Sequence, residues 1–280
     1  MNHIFARIEI LRPLNMILCL LAVFISAWLV DGIFSSLLPY TALVVICFAG
    51  ASNILNDVLD IHIDEINRPD RVLSSGRIRI WDALILMSVL YAAGIIATTY
   101  IQTLGRQISL ILVLPLLVLY TPLFKRLPLI GNIVVGLILG LVFLFTEGAI
   151  HGSVDKMWMP FCLAMGLSTI RELVKDVEDM DGDAVADLQT FPREYGLPAT
   201  LWLLRIFSVS FCAFALIPGL EGYYGKFYLI LLVLLVEAPV LWLVFFQLNE
   251  NSVASDYNQA ARMLKGIAIG GMMVILSTGF

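Results

Sequence analysis

NDVLDIHIDEINRPDRVLSSGRI, residues 56–78, packs Asp57, Asp60, Asp64, Glu65 and Asp70 into a chain that is 60% hydrophobic and only 14% charged. An acid cluster this dense stands out because of what surrounds it. Runs such as LNMILCLLAVFISAWLV (14–30), LILVLPLLVLYTPLF (110–124) and LILLVLLVEAPVLWLVFF (229–246) are long enough, or nearly so, to cross a hydrocarbon core of ~30 Å as helices. Backbone groups in lipid must be satisfied internally, which favours helices, and the polar–apolar alternation of a membrane barrel is absent. The mean hydropathy of +0.93 agrees. The expected fold is all-α: a polytopic membrane protein.

Outward from the quoted stretch, apolar segments separated by charges or turn residues predict about nine spans, near 14–30, 38–55, 81–100, 107–123, 130–150, 157–174, 198–218, 227–247 and 263–280. They are expected to surround a central cavity with cytoplasmic cap loops or helices, as one membrane domain over residues 1–280. Of the 17 lysines and arginines, Arg106, Lys156 and Lys226 lie on one side. The rest, from Arg7 and Arg12 to Arg262 and Lys265, lie on the other, so the amino end is expected in the cytoplasm and the carboxyl end outside. The first apolar run reads as a retained span rather than a signal peptide. Most acids lie in two clusters, so the net charge of −5 reports local chemistry, and no nucleic-acid partner is expected. Cys19, Cys47, Cys162 and Cys212 sit singly in apolar runs and read as small hydrophobes.

The second cluster is RELVKDVEDMDGD, residues 171–183. It follows the sixth expected span as the first follows the second, which places both on the cytoplasmic side in equivalent positions of two halves. The acid motifs at 56–64 and 176–183 are thus a pseudo-duplication in topology, expected to face each other across the bundle. On a helix, Asn56, Asp60 and Asp64 at i, i+4 and i+8 line one face, ~6 Å apart. Asp179 and Asp183 repeat the spacing, with Asp176 one turn earlier. Stacked acids near a low-dielectric membrane repel and call for a cation. Carboxylate and amide oxygens suit Mg²⁺, which takes one or two carboxylates and fills its shell with phosphate oxygens and water. Two such rows would hold two Mg²⁺ around a diphosphate. Arg68, Arg71, Arg77, Lys125, Arg126, Arg171 and Lys175 share that membrane face and could grip phosphate oxygens. Acid rows, metal and a basic rim on an apolar bundle describe a site for a lipid diphosphate whose pyrophosphate departs, with water kept from an allylic carbocation.

Other polar residues read more plainly. His62 lies on another helical face from the acids and reads as solvated or packed; His3 and His151 carry no chemistry. Glu147 reads as interfacial, and Glu237 beside Pro239 as either a functional intramembrane acid or a helix-break hydrogen bond. Tyr120 is a candidate for lining a lipid cavity.

These elements resemble the UbiA superfamily of intramembrane prenyltransferases. LRPLN (11–15) is similar to its amino-terminal segment, and residues 56–78 to its first signature, N-D-x-x-D-x-x-x-D followed by N-[KR]-P-x-R-P. YTPLFKRLPLIGNIVVG (120–136) resembles its middle segment, and VKDVEDMDGDAVADLQTFPREYG (174–196) its second signature, D-x-x-x-D with a T-x-P…G tail. The resemblance implies a nine-helix bundle over a lipid-open cavity. By that analogy Asn56, Asp60, Asp64, Asp179 and Asp183 hold two Mg²⁺ and a prenyl diphosphate. Asp57 and Asp176 would support them, and Arg71, Lys125 and Lys175 would contact the diphosphate. RELVKDVEDMDGD and FKRLPLIGN look most like the branch of digeranylgeranylglyceryl phosphate synthases, which transfer geranylgeranyl to geranylgeranylglyceryl phosphate. Three positions depart: Val72 for Pro, Asp187 for Gly and Gln189 for a basic residue. An aromatic acceptor, a quinone or chlorophyll-type precursor, is the rival within the class. A cation transporter is the alternative of another class; it predicts acids at the midplane, whereas these lie at span ends. An aspartyl protease lacks its first glycine before DGD, and a CDP-alcohol transferase its D-G-x-x-A-R run.

Overall fold

The computed structural model describes residues 3–185 and 187–279, and every regular element among them is helical. In chain order these are α1 (His3–Glu9), α2 (Pro13–Leu29), α3 (Leu38–Leu59), α4 (Ile61–Asn67), α5 (Ile80–Tyr100), α6 (Thr103–Tyr120), α7 (Ile130–His151), α8 (Trp158–Glu178), α9 (Met180–Val185), α10 (Phe191–Leu220), α11 (Lys226–Gln247) and α12 (Ala254–Gly279). Prolines sit in the first turns of α2, α3 and α10, where the missing N–H costs no helical bond. Among the described residues seven helices, α3, α5, α6, α7, α10, α11 and α12, are long and apolar enough to cross a membrane. The other two expected spans are helices as well. However, α2 has only 17 residues, and the last turns of α8 carry Arg171, Glu172, Lys175, Asp176 and Glu178.

The chain divides into two compact units. One takes in the chain up to Arg126 with Leu141–Trp158 and Asp181–Leu188; the other takes in Leu127–Gly140, Met159–Met180 and the chain from Gln189 on. In the first, Ala6, Ile10, Ile54, Val72, Leu73, Ile78 and Ala83 form a small core joining α1, the end of α3, the loop after α4 and the start of α5. Each large aliphatic side chain buried there contributes about 1.5–3 kcal/mol. Val72 is 3% exposed, so the residue standing where the family has proline fills this core. The loop closes at Gly76 (φ 70), where Arg77 N–H bonds Val72 O and Gly76 N–H bonds Leu73 O. A Cβ at Gly76 would meet nothing, so the left-handed backbone, not space, requires glycine. Arg77 then binds Glu9 through both Nη atoms (2.6 and 2.7 Å) and Asp70 O (2.6 Å). Arg77 is thereby a tether for α1 rather than the phosphate contact expected of it.

On α7 and the loop after it, Glu147 is 3% exposed and accepts the N–H groups of Lys156 and Met157, both at 3.0 Å. It caps the approach to α8, which corrects the interfacial reading. His151 Nε2 lies 2.7 Å from Val30 O, and His62 is exposed beside Glu65.

In the second unit, α8, α10, α11 and α12 share one core containing Ile170, Leu173, Leu204, Leu243, Tyr257 and Leu264. The first half of α7 approaches α8 through Gly136 and Gly140. A Cβ there would stand 2.6 Å from Met165 O and 2.7 Å from Phe161 O. Small residues four apart let membrane helices touch backbone to backbone, where packing rather than the hydrophobic effect drives association. At the start of α10 the T-x-P…G tail has a direct reading: Thr190 precedes the helix, Pro192 lies in its first turn, and Gly196 (φ 82, ψ 164) kinks it. Glu237 closes a π-helical turn, Val233–Glu237, just before Pro239. It is 6% exposed and its Oε1 has no hydrogen-bond partner among the described residues, so the helix-break bond is not formed by that oxygen there.

Candidate functional site

Both acidic rows are built the same way. α3 ends at Leu59 and α4 starts at Ile61; Asp60, between them, has φ −95 and ψ 9. Backbone bonds nevertheless continue across the break, Asp60 N–H to Asn56 O and Asp64 N–H to Asp60 O, both 2.8 Å. The i, i+4, i+8 row therefore survives, although it does not lie on one unbroken helix. Asp179 likewise stands between α8 and α9, its N–H bonding Lys175 O at 2.9 Å, and Asp183 follows in α9. α9 terminates with Leu188 N–H on Asp183 O and Asp187 N–H on Ala184 O around Asp187 at φ 51. That is the Schellman closure, which explains why the family's usual residue at 187 is glycine.

The side chains of the first row are held by the chain's own cations. Asp57 (4% exposed) pairs with Arg12 and, at 3.2 Å, with Arg71; Arg71 also pairs with Asp64 (5% exposed). Lys125 Nζ lies 2.6 Å from Asp60 Oδ2, and Thr121 Oγ1 donates to Asn56 Oδ1 at 2.5 Å. Burial pushes the Asp64 carboxyl up; Arg71 opposes this, while Asp57 and Asp60 add to it. Burial also lowers the Arg71 guanidinium, with Arg12 repelling it and Asp64 and Asp57 compensating. Arg68 is half-buried, and Arg126 is exposed on the turn Phe124–Arg126.

In the second row Lys175 reaches Asp179 at 3.5 Å, and Asp176 Oδ2 accepts from Asn132 Nδ2 of α7 at 2.8 Å. Arg171 pairs with Glu172, and Glu178 accepts from Asn258. Asp183 is 5% exposed.

The structure thus brings together Asn56, Asp57, Asp60, Asp64, Arg71 and Lys125 in the first unit, and Asp176, Asp179 and Lys175 around α8. It adds three partners that reading by spacing missed. Arg12 lies 45 residues from Asp57, Thr121 lies 65 from Asn56 and Asn132 lies 44 from Asp176. Arg12 does stand inside LRPLN, and Thr121 and Asn132 inside the middle segment.

The donor set suits Mg²⁺ in one form only. Oxygens of Asn56, Asp60 and Asp64 line the row, yet among the described residues no three Asp, Glu, His or Cys side chains enclose a bare ion. Mg²⁺ rarely uses an all-protein cage and completes its shell with phosphate and water, so the residues fit an ion that shares a diphosphate.

The UbiA prenyltransferase family model matches residues 16–263. The digeranylgeranylglyceryl phosphate synthase of Methanopyrus kandleri is 31% identical over 276 residues, covering 98% of each chain. That of Natronomonas pharaonis is 33% identical over 83% of this chain and 84% of its own. A solved digeranylgeranylglyceryl phosphate synthase structure superposes with TM-score 0.78 at 25% identity, over 100% of this chain and 99% of that one. A UbiA homologue from Archaeoglobus fulgidus, solved with GPP and Mg²⁺, shares the fold at TM-score 0.70 and 18% identity, over 96% of this chain and 99% of that one. With a match across most of its length and full-length relatives above 30% identity, this chain belongs to the UbiA prenyltransferase family.

Proposed function

We propose that the protein transfers a geranylgeranyl group from its diphosphate to the free hydroxyl of geranylgeranylglyceryl phosphate, in a Mg²⁺-dependent reaction of ether-lipid synthesis. Asn56, Asp60, Asp64, Asp179 and Asp183 would hold two Mg²⁺ with the donor's diphosphate. The observation that carries this reading is the repeated construction, an aspartate at the break between a long helix and a short one with a second aspartate one turn on. The names of the full-length relatives supply the donor and acceptor.

Bound Mg²⁺ would neutralise charge on the departing pyrophosphate. The chain's own residues do the rest. Arg71, Lys125 and Lys175 bind phosphate oxygens, with Arg68, Arg126 and Arg171 as the outer basic rim. Thr121 fixes the Asn56 amide, and Asp57 and Asp176 hold the rows in place through Arg12 and Asn132. Apolar walls exclude water while the donor's C–O bond breaks and the acceptor oxygen forms the new one. Ether, pyrophosphate and the hydroxyl proton are the products. The amino end and both rows face the cytoplasm in this reading, by the distribution of lysine and arginine.

Purified protein given geranylgeranyl diphosphate, Mg²⁺ and either the glyceryl phosphate lipid or an aromatic acceptor should release pyrophosphate, and product mass identifies the acceptor. Asp60→Asn and Asp179→Asn should each cost about 10²-fold or more in turnover. Unchanged turnover in both would overturn the site. An alkylated ring in place of the ether would keep the site and replace the acceptor.

A further inference from the structure

We infer that the first acidic row is locked by the chain's own cations, so that a divalent metal binds it far more tightly together with a diphosphate than alone. The inference rests on the metal and diphosphate assignment proposed above and concerns how that site is loaded. Lys125 Nζ stands 2.6 Å from Asp60 Oδ2, and Arg71 pairs with both Asp64 and Asp57. The Arg71 and Lys125 side chains are only 20% and 21% exposed. A metal arriving alone must displace tethered cations already in contact, whose effective concentration is high. It would also take the Asp60 carboxylate from half-buried Lys125 and leave half-buried Arg71 with Asp57 alone. A diphosphate removes both penalties, because its oxygens give Lys125 and Arg71 new partners as Asp60 and Asp64 turn to the metal.

Arg12 makes the exchange selective. Asp57 has two guanidinium partners, Arg12 and Arg71, so it stays neutralised when Arg71 leaves. Asp64 gives up Arg71 and Asp60 gives up Lys125 in the same step. The acids freed are thus two assigned to metal, and the one retained is not. Arg12 is fixed for this role: its backbone is left-handed (φ 57, ψ 70) at the start of α2, and Asn53 Nδ2 holds Leu11 O at 2.9 Å. Arg12 is a positioning residue, acting on Asp57 so that Arg71 can go.

Mn²⁺ binding by electron paramagnetic resonance, with and without inorganic pyrophosphate, tests this without turnover. Protein-free titrations correct for the Mn²⁺–pyrophosphate complex. Wild type should bind Mn²⁺ about tenfold or more tightly with pyrophosphate present. Lys125→Met should bind Mn²⁺ alone more tightly than wild type and lose most of that enhancement, whereas Arg79→Gln, at an exposed position outside the cluster, should keep it. Arg12→Gln should reduce the enhancement and Arg12→Lys restore it. Equal Mn²⁺ affinity with and without pyrophosphate in wild type overturns the exchange and leaves the metal site standing. No Mn²⁺ binding under either condition overturns the site assignment itself.

Discussion

Adding one methyl group at Gly136 should damage the second acidic row from two turns away. The alanine Cβ would lie 2.6 Å from Met165 O, against the 3.4 Å of ordinary contact. Met165 O is backbone and already accepts from Thr169 Oγ1 at 2.8 Å, so it cannot swing aside. α7 and α8 must therefore separate by most of an ångström. One turn earlier on α7, Asn132 donates to Asp176 at 2.8 Å, and the same separation takes that bond out of range. Overpacking costs about 1–3 kcal/mol, and the lost hydrogen bond to a carboxylate about 1.5–3. Alanine's helix preference returns roughly 0.5–1. A net loss of about 2–5 kcal/mol follows, or roughly 4–20 °C in Tm at about 2–4 °C per kcal/mol. Gly266→Ala on α12 is the control, since a Cβ there meets nothing within 4 Å. It should be neutral or stabilising by up to about 1 kcal/mol. Thermal unfolding of the two detergent-solubilised variants, read by tryptophan fluorescence, measures the difference. If Gly136→Ala melts with Gly266→Ala, the close approach of α7 and α8 is not as described.

Glu147→Ala should cost about 1–3 kcal/mol for each of the two N–H groups it leaves unpaired, seen as a fall in Tm that Glu147→Gln partly recovers. Asp187→Gly should raise stability by about 0.5–1 kcal/mol, because Asp187 holds φ 51 at the end of α9; an unchanged or lower Tm contradicts that. Arg77 holds the Glu9 carboxyl below its usual range, so their pairing is present above that range and lost as pH falls through the lowered value. Limited proteolysis at α1 should accelerate on acidification, and already at neutral pH in Arg77→Met. Glu237→Gln, which keeps the shape of a buried side chain whose Oε1 has no hydrogen-bond partner among the described residues, should leave the unfolding free energy within about 1 kcal/mol of wild type, whereas Glu237→Leu tests whether the polarity matters at all.

Long-range order was legible where one physical rule dominates. Apolar runs reveal membrane helices because lipid admits little else, and the acid spacing placed Asn56, Asp60 and Asp64 in one row. The break at Asp60 was hidden, since i, i+4 periodicity runs through a junction whose backbone bonds continue. α8 reads as a span in its first part and as a charged helix in its last, and hydropathy alone does not tell where the change matters. The partners of the acids were invisible to spacing: Arg12 reaches Asp57 and Lys125 reaches Asp60 only through the packing of distant helices. Glu147 was misread because its two donors lie in a loop without a motif.

The two units are interleaved along the chain, and this has a consequence for synthesis on the ribosome. The first unit is begun by the opening 126 residues but lacks its last segment until Leu188 has been translated. Early helices must therefore wait in the bilayer, incompletely covered, while the second unit's first two segments emerge in full. Nascent chains stalled before and after residue 188 should differ sharply in protease resistance, with the gain arriving in one step rather than helix by helix.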